Sequence, residues 1–400
     1  MLNLLKWYAH FFMKEGSEKV PERYTFPIES PGLYIHFPFC KSNCGYCPYL
    51  KMNYDEQLVS DYIIWLQRER MLHGTSRFSS LYIGGGSPSN DMKAIRQILQ
   101  FIAGDINGEV ALEVHPNDSQ MSNLQRLKEL GVNYVSLGIQ TLDQELQSKI
   151  GRGISRNVNI KSMENVMNSD FDVVNVDLIL DPEKDFNILH KDFIEMTKFK
   201  PQQISIYPLM PFSFTSMHIS NKPDIEISYF EKLDEIAEDL GYRRDMLWTY
   251  TNKQNLRYSS VGREFYLGMG LSASTFTGSY FTTNTFSLGN YIKSIQRKKL
   301  PVANLRYFNQ FQGALFFAFW KLYINELYLE PLLKYFPEAE NKIRMFLWFL
   351  ERAKLVKERD NYYFLTKKGR REMHKMEEWI THHVIDPLWS KLRKTKKRKK

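Results

Sequence analysis

The chain has 400 residues, of which 43% are hydrophobic and 25% charged, and it contains only three cysteines. That balance suits two or three packed domains and excludes collagen-like, disordered and disulfide-scaffold classes. The formal charge of +9 sits at one end: residues 391–400 hold eight Lys or Arg and no acid, leaving 46 basic against 45 acidic groups elsewhere. The body is therefore near neutral and the tail reads as a solvated end.

No apolar run approaches the roughly 20 residues of a membrane-spanning helix. Residues Leu2 to Met13 read as an amphipathic helix docked on the body, with a linker to residue 30. They lack the basic start and small-residue cleavage site of a secretory signal, so a cytoplasmic protein is expected. From residue 32 to about 212, β-rich runs alternate with helical ones. Strands are expected at Leu33–Phe37, Ser80–Ile83, Glu109–Val114, Tyr134–Ile139, Val173–Leu180 and Ile204–Leu209. Helix starts are marked by Asn90/Asp91 before Met92–Ile102, by Ser122 before Leu124–Leu130, by Asp143, and by Pro182-Glu183. Apolar strands separated by helices indicate an α/β fold with a buried parallel sheet, here a partial (β/α)6 barrel spanning residues 31–225. Six units fall short of a closed barrel and leave one side open for a large substrate.

Residues 226–300 are Ser/Thr/Tyr-rich and read as an extension closing the site. Residues 301–390 turn helical and aromatic and end in a hairpin with Asp360-Asn361 at its turn, which suggests a winged-helix-like domain. The hairpin is not strongly basic, so a packing role is expected and nucleic acid is not an expected partner.

Ligands of such barrels bind at the C-terminal strand ends. The cysteine loop follows the first strand, Gly84-Gly85-Gly86 the second, His115-Pro116 the third and Gln140 the fourth, with Asp177 inside the fifth. The convergence points to one site. Cys40, Cys44 and Cys47 have the spacing C-x3-C-x2-C. They cannot form a disulfide framework, and favour a reducing compartment and a local metal or redox site. Three thiolates on a four-iron cluster leave one iron without a protein ligand, an open position for an exogenous one. A zinc site with His36 as fourth ligand is the alternative. The glycine run after a strand offers close backbone approach and amide donors to a ligand. Asp177 in an apolar strand needs hydrogen-bonding partners or a ligand, and Glu113 at a strand end reads either as a site carboxylate or as a rim charge.

The segment Tyr34-Ile35-His36-Phe37-Pro38-Phe39-Cys40, continued by Cys44, Tyr46 and Cys47, resembles the signature of the radical S-adenosylmethionine (radical SAM) superfamily. The form is similar to that of the oxygen-independent coproporphyrinogen III oxidase group, which includes haem chaperones, class C radical SAM methyltransferases and anaerobic haem-degrading enzymes. The resemblance runs through most of residues 32–280. It implies that Cys40, Cys44 and Cys47 are catalytic in holding a [4Fe–4S] cluster, reduced by flavodoxin or ferredoxin. It also implies that Gly85, Gly86 and Ser87 contact SAM, with Tyr34 on its carboxylate and Glu113 nearby. A second SAM, as in the oxidase, would meet Gly86, Ser87, Gln140, Arg152 and Asp177, although Arg152 and Asp177 could instead pair structurally.

Two departures from that group stand out. Pro48-Tyr49 follow Cys47 where the oxidase has a further cysteine, and Gln254-Asn255-Leu256-Arg257-Tyr258-Ser259 lacks the His and Trp found in the chaperone. Gly268-Met269-Gly270 is oxidase-like and is expected to line the SAM site. The resemblance therefore implies a divergent monomeric enzyme that cleaves SAM to a 5′-deoxyadenosyl radical and acts on a tetrapyrrole, haem-like or other aromatic substrate. Arg243-Arg244 are candidates to hold propionates. Methyl transfer, haem carriage without catalysis, and a zinc-stabilised binding module are the alternatives.

Overall fold

A computed structural model describes residues 19–74, 77–217, 219–253, 256 and 262–394. The N-terminal helix expected at Leu2 to Met13, most of the Gln254–Ser259 segment and the tail beyond residue 394 lie outside the described residues.

The alternation read from the sequence becomes six parallel strands hydrogen-bonded in chain order: β1 (Gly32–Phe37), β2 (Phe78–Gly85), β3 (Ile106–Val114), β4 (Tyr134–Gln140), β5 (Val173–Leu180) and β6 (Gln203–Pro208). Parallel neighbours need crossovers. These contain α1 (Glu56–Leu72), α2 (Met92–Ile102), α3 (Met121–Glu129), α4 (Gln144–Lys149), α5 (Arg156–Met167) and α6 (Phe186–Thr197). Burial of the strands explains their apolar sequences: in β5 every residue except Asp177 is buried.

Short polar caps start most of these helices. Asp55, Asp91, Asp143, Ser155 and Asp185 each accept from a first-turn amide, a contact worth about 1 kcal/mol. The Ser122 start is displaced: α3 begins at Met121 without a side-chain cap, because the Pro116–Asp118 turn already sets the chain direction. The Pro182-Glu183 start also moves, since Pro182 sits in the turn and Asp185 caps the helix.

The sheet is wider than the sequence pattern indicates. β7 (Arg243–Met246) and β8 (Thr249–Thr251) extend it antiparallel beyond β6, with α7 (Pro223–Asp239) between β6 and β7. On the other edge β9 (Tyr266–Met269) pairs parallel with β1, a seventh parallel strand hidden in sequence by its brevity and its glycine. The antiparallel run β10 (Ser274–Phe276), β11 (Tyr280–Asn284) and β12 (Val302–Tyr307) continues from it, with α8 (Leu288–Gln296) before β12. Gly268 is required there, since any Cβ would run into the Ser274 backbone.

The C-terminal part comprises α9 (Gln310–Tyr323), β13 (Leu327–Tyr328), α10 (Leu329–Tyr335), α11 (Glu340–Arg352), β14 (Val356–Arg359), β15 (Tyr362–Leu365), α12 (Lys367–Ile380) and α13 (Asp386–Lys394). The β14–β15 hairpin turns at Asp360 (φ 55°) and Asn361 (φ 62°), as the sequence indicates, and β13 completes a three-stranded wing. A π-helical turn at Thr381–Ile385 joins α12 to α13. None of the described helices is long and apolar enough to cross a membrane.

Candidate functional site

A cavity of about 760 Å³ opens at the C-terminal ends of the parallel strands and runs up to α12 and α13, within the usual size range of small-molecule sites. Its floor is built by the loop that leaves β1. Phe39–Cys40 pairs in parallel with Met52–Asn53, and the Met52 amide donates to Pro38 O at 2.6 Å. The Gly45 amide donates to Ile150 O (2.9 Å), and the Gly45 carbonyl accepts from Met217 N (3.3 Å). The Lys51 ammonium donates to Cys44 O. The loop is thus held at both ends and in the middle.

Cys40, Cys44 and Cys47 are free thiols, each partly exposed, and all three line the cavity. Burial pushes the Cys40 thiol up to about 12, and the neighbouring Cys47 and Cys44 push in the same direction. Cys47 is raised chiefly by burial as well. Three thiolates cannot gather here without a compensating positive centre, which a metal or cluster provides.

His36 is not a fourth ligand. Its Nε2 donates to Leu50 O (2.9 Å) and its Nδ1 accepts from the Tyr34 hydroxyl (3.0 Å), while burial lowers its pKa to about 4. With both ring nitrogens engaged, the Cys3His zinc site considered from sequence has no histidine to complete it.

The glycine run locks onto the same loop. Gly85 has φ +109°, and a Cβ there would strike the His36 ring. A Cβ on Gly86 would come within 2.7 Å of the Phe37 and Phe39 carbonyl oxygens. The Gly86 amide donates to Phe37 O (2.7 Å) and the Ser87 amide to Phe39 O (2.9 Å). The Gly85 amide donates to Glu113 Oε2 (3.0 Å). This corrects the expectation of free amide donors: the glycines are needed for close packing of protein on protein, and their N–H groups are already spent.

Glu113 also accepts from the Tyr82 hydroxyl at 3.0 Å. Burial, reinforced by Asp177, raises its pKa to about 7, so it is not a solvated rim charge. Asp177 is held by Ser136 Oγ (2.8 Å) and Asn175 Nδ2 (2.8 Å), and burial raises it to about 6. Arg152 makes no ion pair with Asp177. Its Nη2 donates to Gly138 O (2.6 Å) and its Nη1 lies 3.9 Å from the Cys44 sulfur. Gln140, at φ 69° beside a register shift in β4, is turned toward the same space.

Residues 34–190 match the Radical SAM superfamily. Haem chaperone HemW of Bacillus subtilis is 26% identical over 294 residues, spanning 67% of this chain and 76% of that protein. The oxygen-independent coproporphyrinogen III oxidase of Pseudomonas aeruginosa is 25% identical over 307 residues, spanning 68% and 66%. Coproporphyrinogen III oxidase (HemN) from Escherichia coli, described as a radical SAM enzyme, superposes with a TM-score of 0.76 at 18% identity, covering 95% of this chain and 98% of that one.

Residues 34–190 carry a radical SAM domain, and these likenesses support its HemN/HemW-like group.

Such a domain implies a [4Fe–4S] cluster and SAM, and the three thiols in one cavity without a fourth protein ligand fit that demand. Of the site residues read from the sequence, Tyr34, Cys40, Cys44, Cys47, Gly85, Gly86, Ser87, Glu113, Gln140, Arg152 and Asp177 line this one cavity. Arg243 and Arg244 do not. Arg243 is exposed on the edge strand β7, and Arg244 pairs with Asp234 at 2.7 Å, so neither awaits a propionate in the cavity. From the Gly268 region, Tyr266, Ser272 and Ser274 reach the cavity wall. Gly270 instead gives its amide to Glu69 (2.7 Å) in a buried network with Asn284 and Tyr291.

Sequence reading missed the upper half of the cavity. Tyr207, Trp248, Tyr323, Glu377 and Trp389 line it from β6, the β7–β8 turn, α9, α12 and α13. No motif links these positions. The one available signal is the density of aromatic residues after residue 305, which fits a packed helical core equally well.

Proposed function

We propose that the chain is a radical SAM enzyme acting on a flat aromatic substrate of the tetrapyrrole or haem-like kind, with Cys40, Cys44 and Cys47 holding the cluster. The observation that carries this reading is that three unpaired thiols, two half-buried carboxylates and an aromatic roof share one cavity. When bound, the cluster supplies the electron that splits SAM into methionine and a 5′-deoxyadenosyl radical. The chain's own residues bind, orient and exclude water. Arg152, fixed by Gly138 O, places a permanent positive charge beside Cys44. Glu113, fixed by Gly85 and Tyr82, offers a carboxylate to the cationic end of an amino-acid moiety. Tyr34 reaches the cavity too, but its hydroxyl proton is directed at His36 Nδ1, which leaves it accepting rather than donating toward a ligand. Ser136, Asn175 and Asp177 form a polar strip, continued by Ser205 through its 2.9 Å bond to Asn175, on which a ribose or a second SAM would lie.

The test is anaerobic reconstitution followed by reduction with SAM present. About four irons per chain and accumulation of 5′-deoxyadenosine support the reading, whereas one zinc and no iron would overturn it. Haem carriage is the second reading, favoured by the likeness to HemW over 76% of that protein. Tight haem binding with no 5′-deoxyadenosine under any condition selects it. Methyl-labelled SAM separates methyl transfer, which leaves label in the product, from oxidation, which does not.

A further inference from the structure

The roof of the cavity differs chemically from its floor. Glu377 on α12 lines the cavity, is only 7% exposed, and its Oε2 has no hydrogen-bond partner. Burial alone raises its pKa, to about 7. An unpartnered buried carboxylate is costly unless a donor reaches it. Trp248, Tyr323 and Tyr207 line the same cavity, with Trp248 edge-on to Tyr323 (5.6 Å between ring centroids) and to Tyr207 (6.4 Å).

A second observation is independent of Glu377. Tyr49 and Tyr207 are 52% and 43% exposed, and both line the cavity. Their open faces therefore border the cavity. They are aromatic surfaces left for a flat ligand to cover. Tyr49 follows the cysteine loop in sequence and lies 6.1 Å, ring to ring, from Trp389 of α13, and so stands between floor and roof.

The charges along the described wall are one-sided. Its acids are Glu113, Asp177, Glu372 and Glu377; its only cations are Lys51 and Arg152, both at the floor, where each donates to a carbonyl and Arg152 Nε is left unpartnered. Arg393 lies over Phe214 and Phe286 and donates to Pro48 O, outside this wall. At the roof end the described lining offers Glu372 and Glu377 and no cation, so a carboxylate placed there meets only like charge.

We infer that the roof of the cavity recognises a planar nitrogen heteroaromatic through a protonated or N–H nitrogen bound to Glu377, with the ring covering Tyr49 and Tyr207, and that it rejects rings defined by carboxylates. The inference rests on the cavity being the reaction chamber, and it narrows the substrate class. Metal-free tetrapyrroles qualify through their pyrrole N–H groups and not through their propionates, whereas in haem iron holds all four nitrogens.

Two matched three-ring probes test it on the reconstituted full-length protein at 0.15 M salt, a condition that screens the basic tail: 9-aminoacridine, cationic with N–H donors, and acridine-9-carboxylate. Fluorescence titration is expected to give at least tenfold tighter binding of 9-aminoacridine by the wild type, roughly 1.4 kcal/mol. In Glu377→Gln that preference is expected to fall about tenfold. Equal binding of the two probes, tighter binding of the carboxylate, or a preference unchanged in Glu377→Gln would each overturn the inference. The wild-type preference alone decides if the variant does not fold. Because the readout needs no SAM cleavage, this proposal and the radical SAM reading fail separately: loss of 5′-deoxyadenosine formation leaves the acridine result standing, and the reverse.

Discussion

The two ends of the cavity obey opposite rules. At the floor most polar groups are engaged within the protein: the amides of Gly85, Gly86 and Ser87, the carboxylates of Glu113 and Asp177, and both nitrogens of His36, with Arg152 Nε and His115 Nε2 the unpartnered exceptions. At the roof a buried carboxylate oxygen of Glu377 is unpartnered and the Tyr49 and Tyr207 rings lie open. A saturated floor holds fixed geometry for a cofactor that is always the same. An unsaturated roof leaves its hydrogen-bonding capacity to the ligand. The contrast separates common chemistry from substrate choice within one space.

The largest effect that could break this contrast lies in the floor. Cys40→Ala should reduce 5′-deoxyadenosine formation at least 100-fold and lower the iron content, measured after anaerobic reconstitution; retained activity would show that the loop is not the cluster site. Gly85→Ala comes next. Its Cβ meets the His36 ring and its φ of +109° is strained for any L-residue, so a loss of about 3 kcal/mol in denaturant unfolding is expected.

Behind the roof, α7 and α12 meet through Glu226, His374 and Glu378. Trp248 Nε1 donates to His374 Nδ1 (3.0 Å), and His374 Nε2 lies 2.9 Å from Glu226 Oε2. The His374 Nε2 proton is therefore committed to Glu226, which disfavours a metal among these three groups. Burial raises Glu226 to about 7; Glu378, raised by burial and by Glu226, goes to about 9. Folded-state pKa values above the unfolded ones mean that the folded protein holds protons the unfolded chain releases. The stability from this joint is complete below about pH 4.5 and is lost as the pH rises through 7 and 9. His374, lowered by burial to about 4, acts in the opposite sense and costs stability as the pH falls below 6.5. The melting temperature should therefore decline from pH 6 to pH 9, and Glu378→Gln should flatten that slope.

The smallest effect concerns how α13 covers the floor. Trp389 stacks on Phe212 (6.2 Å, 15°) and leans on Tyr49 (6.1 Å), while Ser213 donates to Asp386. Trp389→Ala should cost about 1 kcal/mol in unfolding and leave the iron content intact. A loss of iron would mean that the roof also supports the floor.

The same contrast governs what could be read from the sequence. The floor was legible because its constraints are local: three cysteines within eight residues, glycines where a Cβ cannot fit, and carboxylates at strand ends. Val173–Leu180 was found to the residue because a strand buried on both faces must be apolar. The seventh parallel strand escaped because four residues containing a glycine carry too little pattern. The free amides expected of the glycine loop were mistaken because a glycine's need for close approach does not say whether ligand or protein approaches. Arg243-Arg244 looked available only because Asp234, on the preceding helix, could not be placed beside them from sequence. The roof was illegible because Tyr49, Tyr207, Trp248 and Glu377 meet only through the docking of α12 and α13.

Electron paramagnetic resonance of the reduced, reconstituted protein with and without SAM addresses the open cluster position most directly. A [4Fe–4S] signal whose g values shift when SAM is added is the predicted result. A cluster signal that SAM leaves unchanged, or a protein that takes up zinc in place of iron, would contradict it.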